Sequence, residues 1–278
     1  MNTTPTTDRV QASAFLTRPG GRIAYDIAGS GPLVVLIPGM GDLRATYRFL
    51  APPLREAGNR VAVTDLRGHG KSDTTFASYG DVETAGDIAA LVTEVGGPAV
   101  LVGNSMGAGA AAIVAAEHPE LVAGLVLIGP FVRDPHVSAP QRILMRAAMA
   151  RPWVATVWNM YLPKLYAGQR PADFDSYRKE VVGNLRRPGH AAAFSRTTHT
   201  SHAPAEAKLG DISAAVLVVM GDKDPDFPDP QAEAAWIAQT LHADVVMVPE
   251  AGHYPQSQQP AITTEAILAF LATVHRRA

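Results

Sequence analysis

Apolar positions along this chain fall into two kinds of stretch. Asp244–Val248 reads as a last strand, and five earlier short runs are continuously apolar: Pro32–Leu33–Val34–Val35–Leu36–Ile37, Arg60–Val61–Ala62–Val63–Thr64, Val100–Leu101–Val102, Leu121–Ile128 and Ala215–Val216–Leu217–Val218–Val219–Met220. Continuous apolarity over so few residues marks a strand buried on both faces. Longer mixed stretches with helical spacing lie between them. They are predicted over Thr46–Ala57, over Val82–Val95 with Ile88, Leu91, Val92 and Val95 on one face, over Ala108–Glu117, over Gln231–Leu241 and over Ile262–Val274. At the front, Ala14–Leu16 and Arg22–Ile27 read as a hairpin turning at Pro19-Gly20-Gly21, after a loose tail over Met1–Gln11.

Strand–helix alternation predicts a parallel sheet with helices on both faces. It is interrupted once. From Phe131 to Pro204 no buried strand occurs, and prolines at 135, 140, 152, 163, 171 and 188 punctuate helical stretches. The expected organisation is a core domain of residues 1–130 and 205–278, with 131–204 inserted as a helical cap. Trp153, Trp158, Tyr161, Tyr166, Phe174, Tyr177 and Phe194 concentrate there. Most should form the cap's own core. Trp158 and Tyr161, with Gly39 and Phe131 from the core, are the candidates for lining a substrate pocket.

Carboxyl ends of parallel strands gather on one edge, where such sheets bind their ligands. One of them stands out. Gly103-Asn104-Ser105-Met106-Gly107 joins a β-branched run directly to an Ala-rich one. A strand-to-helix corner this tight strains its central residue and leaves no room for side chains two positions either side. The Ser105 hydroxyl would project above the sheet, with the unpaired N–H groups of a helix start behind it. Serine at neutral pH needs a base, and the base needs an orienting carboxylate. An acidic loop, Gly221-Asp222-Lys223-Asp224-Pro225, ends the strand after the insertion, and His253 follows the last strand.

Composition narrows the field. In 278 residues there are no cysteines, so disulfides, thiolate metal sites and a Cys nucleophile are excluded. A net charge of −2 gives no bias toward nucleic acid or an anionic membrane. The N-terminal segment lacks the basic start and apolar core of a signal peptide, and apolar runs stop short of a membrane span. A cytoplasmic protein acting on a small molecule, without nucleic acid or membrane, is expected. Charge is uneven: residues 131–204 hold eleven Lys and Arg against four Asp and Glu, +7 net, and the remainder carries −9. Solvated outer faces of cap helices account for this excess, with attraction of an anionic substrate as the sharper alternative. His69 reads as a turn residue, and His199 and His202 as cap surface.

With these motifs in order, the chain resembles the α/β-hydrolases over nearly its whole length. Pro38-Gly39-Met40-Gly41 is similar to the oxyanion loop, although many members have His where Pro38 stands. Asp65-Leu66-Arg67-Gly68-His69-Gly70-Lys71-Ser72 resembles the D-x-x-G-x-G-x-S loop, and Gly103–Gly107 the nucleophile elbow. The resemblance implies Ser105 as nucleophile, His253 as base and Asp224, just before Pro225, as acid; Asp226 and Asp134 are rival acids. It also implies an oxyanion hole from the backbone N–H groups of Met40 and Met106, with no cofactor or metal. The activity implied is a serine hydrolase of small esters or lactones, rising with pH between roughly 6 and 7.5 as the histidine deprotonates. Gly-Asn-Ser-Met-Gly is also similar to the elbow of meta-cleavage-product C–C hydrolases, whose acidic dienoates would suit a basic cap. A slow, receptor-like member of the fold is a further alternative.

Overall fold

In the computed structural model, residues 13–135 and 138–276 are described. The tail expected over Met1–Gln11 lies outside them. Strands β1 (Ala14–Arg18) and β2 (Gly21–Ala28) form the front hairpin, followed by β3 (Leu33–Ile37). A 3-10 turn at Arg44–Tyr47 and helix α1 (Ala51–Glu56) lead to β4 (Arg60–Thr64). The single helix expected over Thr46–Ala57 is therefore two pieces. Pro52 and Pro53 fit only in the first turn of a helix, so α1 starts immediately before them. Next come α2 (Asp81–Val95), β5 (Ala99–Asn104), α3 (Met106–Glu117) and β6 (Val122–Ile128).

Five helices follow before the next strand: α4 (Ala139–Ala148), α5 (Val154–Leu165), α6 (Phe174–Leu185), α7 (His190–Thr197) and α8 (Ala203–Glu206). The chain then returns to β7 (Val216–Gly221), α9 (Pro230–Leu241) and β8 (Asp244–Val248). A short α10 (Pro255–Gln258) and the closing α11 (Pro260–His275) end it. None of the described helices is long and apolar enough to cross a membrane.

The eight strands form one sheet in the order β1-β2-β4-β3-β5-β6-β7-β8. The β1–β2 and β2–β4 pairs are antiparallel and all others parallel. Alternate residues of each strand feed opposite layers. Val34, Leu36, Val100 and Val102 pack with Leu54 and Leu271 on one face; Val35, Ile37 and Leu101 pack with Ile88, Ile113 and Ile237 on the other. Small side chains (Ala108, Ala110, Ala111, Ala112) let the buried α3 lie close to the sheet.

Strand order reverses at β3, which lies between β4 and β5. This is the switch point where doubly wound sheets open a crevice. Ile37 pairs in register with Gly103, so the turns leaving β3 and β5 stand side by side. A separate apolar cluster forms within the helical insertion from Trp158, Leu162, Tyr166, Phe174, Tyr177, Val181 and Phe194, joined by Leu43 and Tyr254 from the core. Trp153 differs from the expectation of cap core: half of it is exposed.

Candidate functional site

Ser105 sits at the corner between β5 and α3 with φ 57 and ψ −125, a backbone conformation rare for a residue with a side chain. The flanking glycines explain how the corner closes. A Cβ on Gly103 would lie 2.4 Å from the Gly107 carbonyl oxygen; one on Gly107 would lie 2.6 Å from the oxygens of Ile37 and Pro38. The Ser105 N–H donates to Ile128 at 2.9 Å, fixing the corner against β6. The Asn104 amide donates to the backbone oxygens of Ile128 and His253, each at 3.1 Å. The residue before the serine thereby holds the histidine loop in place.

His253 is 2% exposed, and its Nδ1 lies 2.7 Å from Asp224 Oδ2. The carboxylate accepts, so Nδ1 carries the hydrogen and Nε2 is left as the basic nitrogen. Burial works to lower the His253 pKa. The charge and hydrogen bond of Asp224, followed by the charges of Asp226 and Asp42, outweigh it and raise the value to about 9. Asp226 lies 3.8 Å from Nδ1 and accepts a hydrogen bond from the Tyr161 hydroxyl. Its own pKa is raised by burial, opposed by the His253 charge. Asp224, Asp226 and His253 offer ligand atoms within 4.8 Å of one another, a spacing a cation could use. The Nδ1–H of His253 occupies the space between the closest pair, so the cluster is arranged as an acid–imidazole pair with a second acid beside it.

Of the acids left open by sequence, Asp134 is engaged at the end of the insertion. It accepts from the Ser201 hydroxyl and the His202 N–H, each at 2.7 Å. His202 is not surface, as its position in the insertion suggested. It is buried, with Nδ1 2.7 Å from Asp81 Oδ2, because the end of the insertion folds onto the start of α2. Phe131 lies between the two histidines, its ring centre 5.3 Å from His202 and 5.8 Å from His253.

The turn after β3 approaches the serine closely: a Cβ on Gly39 would fall 2.8 Å from Ser105 Cβ and 3.3 Å from Oγ. Among the described residues, no acceptor meets the N–H of Met40 or of Met106, the first residue of α3. Trp158 and Tyr161 turn their polar ends toward this machinery. The indole N–H donates to the Gly41 carbonyl at 2.9 Å, while Tyr161 reaches Asp226. The basic excess of the insertion is partly engaged with the core. Arg187 donates to the Gly70 carbonyl at 2.7 Å, and Arg196 reaches the Ala77 carbonyl.

Two residues of this site were missed from sequence. His69 accepts the Gly41 N–H, and Asp42 is buried behind the same turn, bonded by Tyr177. Burial raises the Asp42 pKa to about 6, against the Tyr177, Leu43 and Thr46 hydrogen bonds. The loop motif placed His69 in a turn, but the contacts that bring each residue to the site, with Gly41 and with Tyr177, come from distant segments.

The family model described as "Alpha/beta hydrolase family" matches residues 34–266. The chain belongs to that family. A curated relative from Mesorhizobium japonicum, 2-(acetamidomethylene)succinate hydrolase, is 32% identical over 265 residues, covering 90% of this chain and 92% of the relative. A 2-hydroxy-6-oxononadienedioate/2-hydroxy-6-oxononatrienedioate hydrolase from Comamonas testosteroni is 28% identical, covering 90% and 91%. Among solved structures, an esterase from Exiguobacterium antarcticum shares the α/β-hydrolase fold at TM-score 0.81. It is 19% identical and covers 94% of this chain and 100% of that one.

Proposed function

We propose that this hydrolase is a serine enzyme cleaving small carboxylic esters or lactones. The observation that carries the reading is the Asp224–His253 hydrogen bond tied through Asn104 to a serine on a strained corner. Ser105 Oγ bonds to the substrate carbonyl carbon while its proton passes to His253 Nε2. The developing oxyanion takes the N–H groups of Met40 and Met106. As the carbonyl re-forms, the C–O bond to the leaving alcohol breaks and Nε2 returns the proton to it. Water, deprotonated by the same nitrogen, attacks the acyl carbon; the bond to Oγ then breaks, Nε2 returns the proton to Ser105 and the acid leaves. Asp224 keeps the imidazole in its Nδ1–H form and stabilises the imidazolium.

The alternative is C–C cleavage of an acidic dienoate; the relative from Comamonas testosteroni is named as a hydrolase of a dienedioate.

The test is hydrolysis of a chain-length series of p-nitrophenyl esters by wild type and Ser105→Ala. Turnover abolished by the substitution is expected. Folded wild type inactive on every ester would overturn the reading. A vinylogous diketo acid and an acetamidomethylene dicarboxylate would then be assayed.

A further inference from the structure

The D-x-x-G-x-G-x-S loop presents a residue that the proposed reaction leaves unused. Asp65 closes the loop on itself. Its carboxylate accepts from the backbone N–H groups of Lys71 at 2.9 Å and Arg44 at 3.1 Å, and pairs with the Arg44 guanidinium at 3.0 Å. Gly68 and Gly70 take φ of 70 and 54, and a Cβ on Gly70 would collide with the Asp65 carboxylate at 2.1 Å. The turn so formed carries the His69 ring inward, where it is 1% exposed and edge-on to Phe194.

His69 has one partner at each ring nitrogen. Nδ1 lies 2.7 Å from the Arg67 carbonyl oxygen, and Nε2 lies 2.9 Å from the Gly41 amide nitrogen. A carbonyl only accepts, so Nδ1 carries the hydrogen. An amide N–H only donates, so Nε2 presents its lone pair. A single form of the ring, neutral with hydrogen on Nδ1, satisfies both contacts.

That contact is made one residue from the proposed oxyanion donor. Gly41 follows Met40, and its carbonyl is held by Trp158. Both backbone polar groups of Gly41 are thus anchored, one to the loop after β4 and the other to α5. Gly39, on the other side of Met40, is lodged against Ser105. With its neighbours held, the Met40 peptide has little freedom to turn its N–H away. We infer that His69 is a positioning residue: in its neutral Nδ1–H form it holds the Gly41 amide and so aims the Met40 N–H at the oxygen that becomes negative in the transition state. This inference rests on the serine-hydrolase reading. It gives the glycine-rich loop a purpose at the site: the loop's fold delivers an acceptor of fixed orientation to the turn beside it.

Two measurements test it. In wild type, long-range ¹H–¹⁵N spectra of the imidazoles, with His69 assigned by its loss in His69→Gln, should show Nδ1 protonated and Nε2 bare at neutral pH. A ring with hydrogen on Nε2 overturns the inference, and the reading needs only the conservative Gln variant to fold. Kinetically, His69→Phe should lower kcat on p-nitrophenyl acetate roughly 10- to 100-fold, a part of what loss of one oxyanion donor costs, with KM within about twofold. The ratio of oxo-ester to thiono-ester rates should shrink with it, because sulfur accepts these hydrogen bonds poorly and the ratio reports the hole itself. His69→Gln, whose Oε1 can accept the Gly41 N–H, should recover most of both. If His69→Phe does not fold, His69→Gln and the spectra decide. An unchanged oxo/thiono ratio in a folded His69→Phe, or a Gln variant no better than Phe, overturns the positioning role while Ser105-dependent esterase activity stands. Absence of Ser105-dependent turnover in wild type removes the reading beneath it instead.

Discussion

The Trp158 indole N–H donates to the Gly41 carbonyl at 2.9 Å, joining helix α5 to the turn that abuts Ser105. The same helix makes two further contacts of this kind. Tyr161, three residues on, donates to Asp226, and the Leu165 carbonyl accepts the His253 N–H at 2.8 Å. Residues at i, i+3 and i+7 share one side of a helix. One side of α5 therefore reaches the glycine turn, the acidic loop and the histidine loop. Trp158→Phe replaces the indole with a smaller phenyl ring and removes the donor; the buried carbonyl left unpaired costs about 1–3 kcal/mol, and the lost packing adds to it. A lower melting temperature is expected, together with roughly tenfold slower ester turnover. Calorimetry and steady-state kinetics on the same preparation check both.

The charge around His253 moves the expected pH dependence. Sequence alone suggested a rise between about 6 and 7.5. With a pKa raised to about 9, Nε2 stays protonated through neutrality, so kcat/KM should climb until about pH 9. Asp226→Asn removes one of the acids holding the proton and should shift the rise toward neutral pH. Asp224→Asn should instead abolish most activity, by about 10⁴-fold, because the Nδ1–H tautomer loses its partner. A pH–rate profile for the three proteins separates the roles of the two acids.

At the His69 position stability should fall on acidification. Burial lowers its pKa from 6.5 to about 4, against the pull of the Arg67 carbonyl. The unfolded chain therefore takes up a proton at this position before the folded one does. Stability from the neutral ring is full above about 6.5 and is lost as pH falls toward 4, up to about 3 kcal/mol. Asp42, whose pKa is raised, acts in the opposite direction, so the comparison isolates His69: in chemical denaturation between pH 4 and 8, the stability of wild type relative to His69→Gln should decline as pH falls from about 6.5 toward 4.

His202 and Asp81 join the end of the insertion to α2, with the Phe131 ring between His202 and His253. Asp81 also accepts from the Thr200 hydroxyl and packs against Gly109 at the start of α3. His202→Ala leaves a buried carboxylate without its 2.7 Å partner, at a cost of about 1–3 kcal/mol. A large drop in melting temperature is expected, with ester kinetics at low temperature changed far less than by Asp224→Asn.

The elbow tolerates no added carbon. Gly107→Ala would press a methyl group 2.6 Å from the carbonyl oxygens of Ile37 and Pro38, backbone that cannot step aside without moving the turn before Met40. Folded protein, if recovered, should lose activity well over 100-fold, measured with the same ester panel.

What the sequence by itself determined was local. Continuous apolar runs placed the buried strands, because a strand covered on both faces has no polar side to reveal. Gly103, Ser105 and Gly107 marked the corner, because only glycine fits where backbones touch. Pro52 and Pro53 also carried the break that divided the expected first helix, a signal available from proline geometry alone. The tertiary structure decided which groups face one another. Asp226 beside Asp224, Asp81 under His202 and the Gly41 amide on His69 are contacts between residues 2 to 121 positions apart. Burial then set their protonation. His69 and His253 are both imidazoles near 6.5 in isolation, yet one is driven to about 4 and the other to about 9. Periodicity reports which side of an element is covered, but an imidazole's pKa depends on the charges that arrive from other segments.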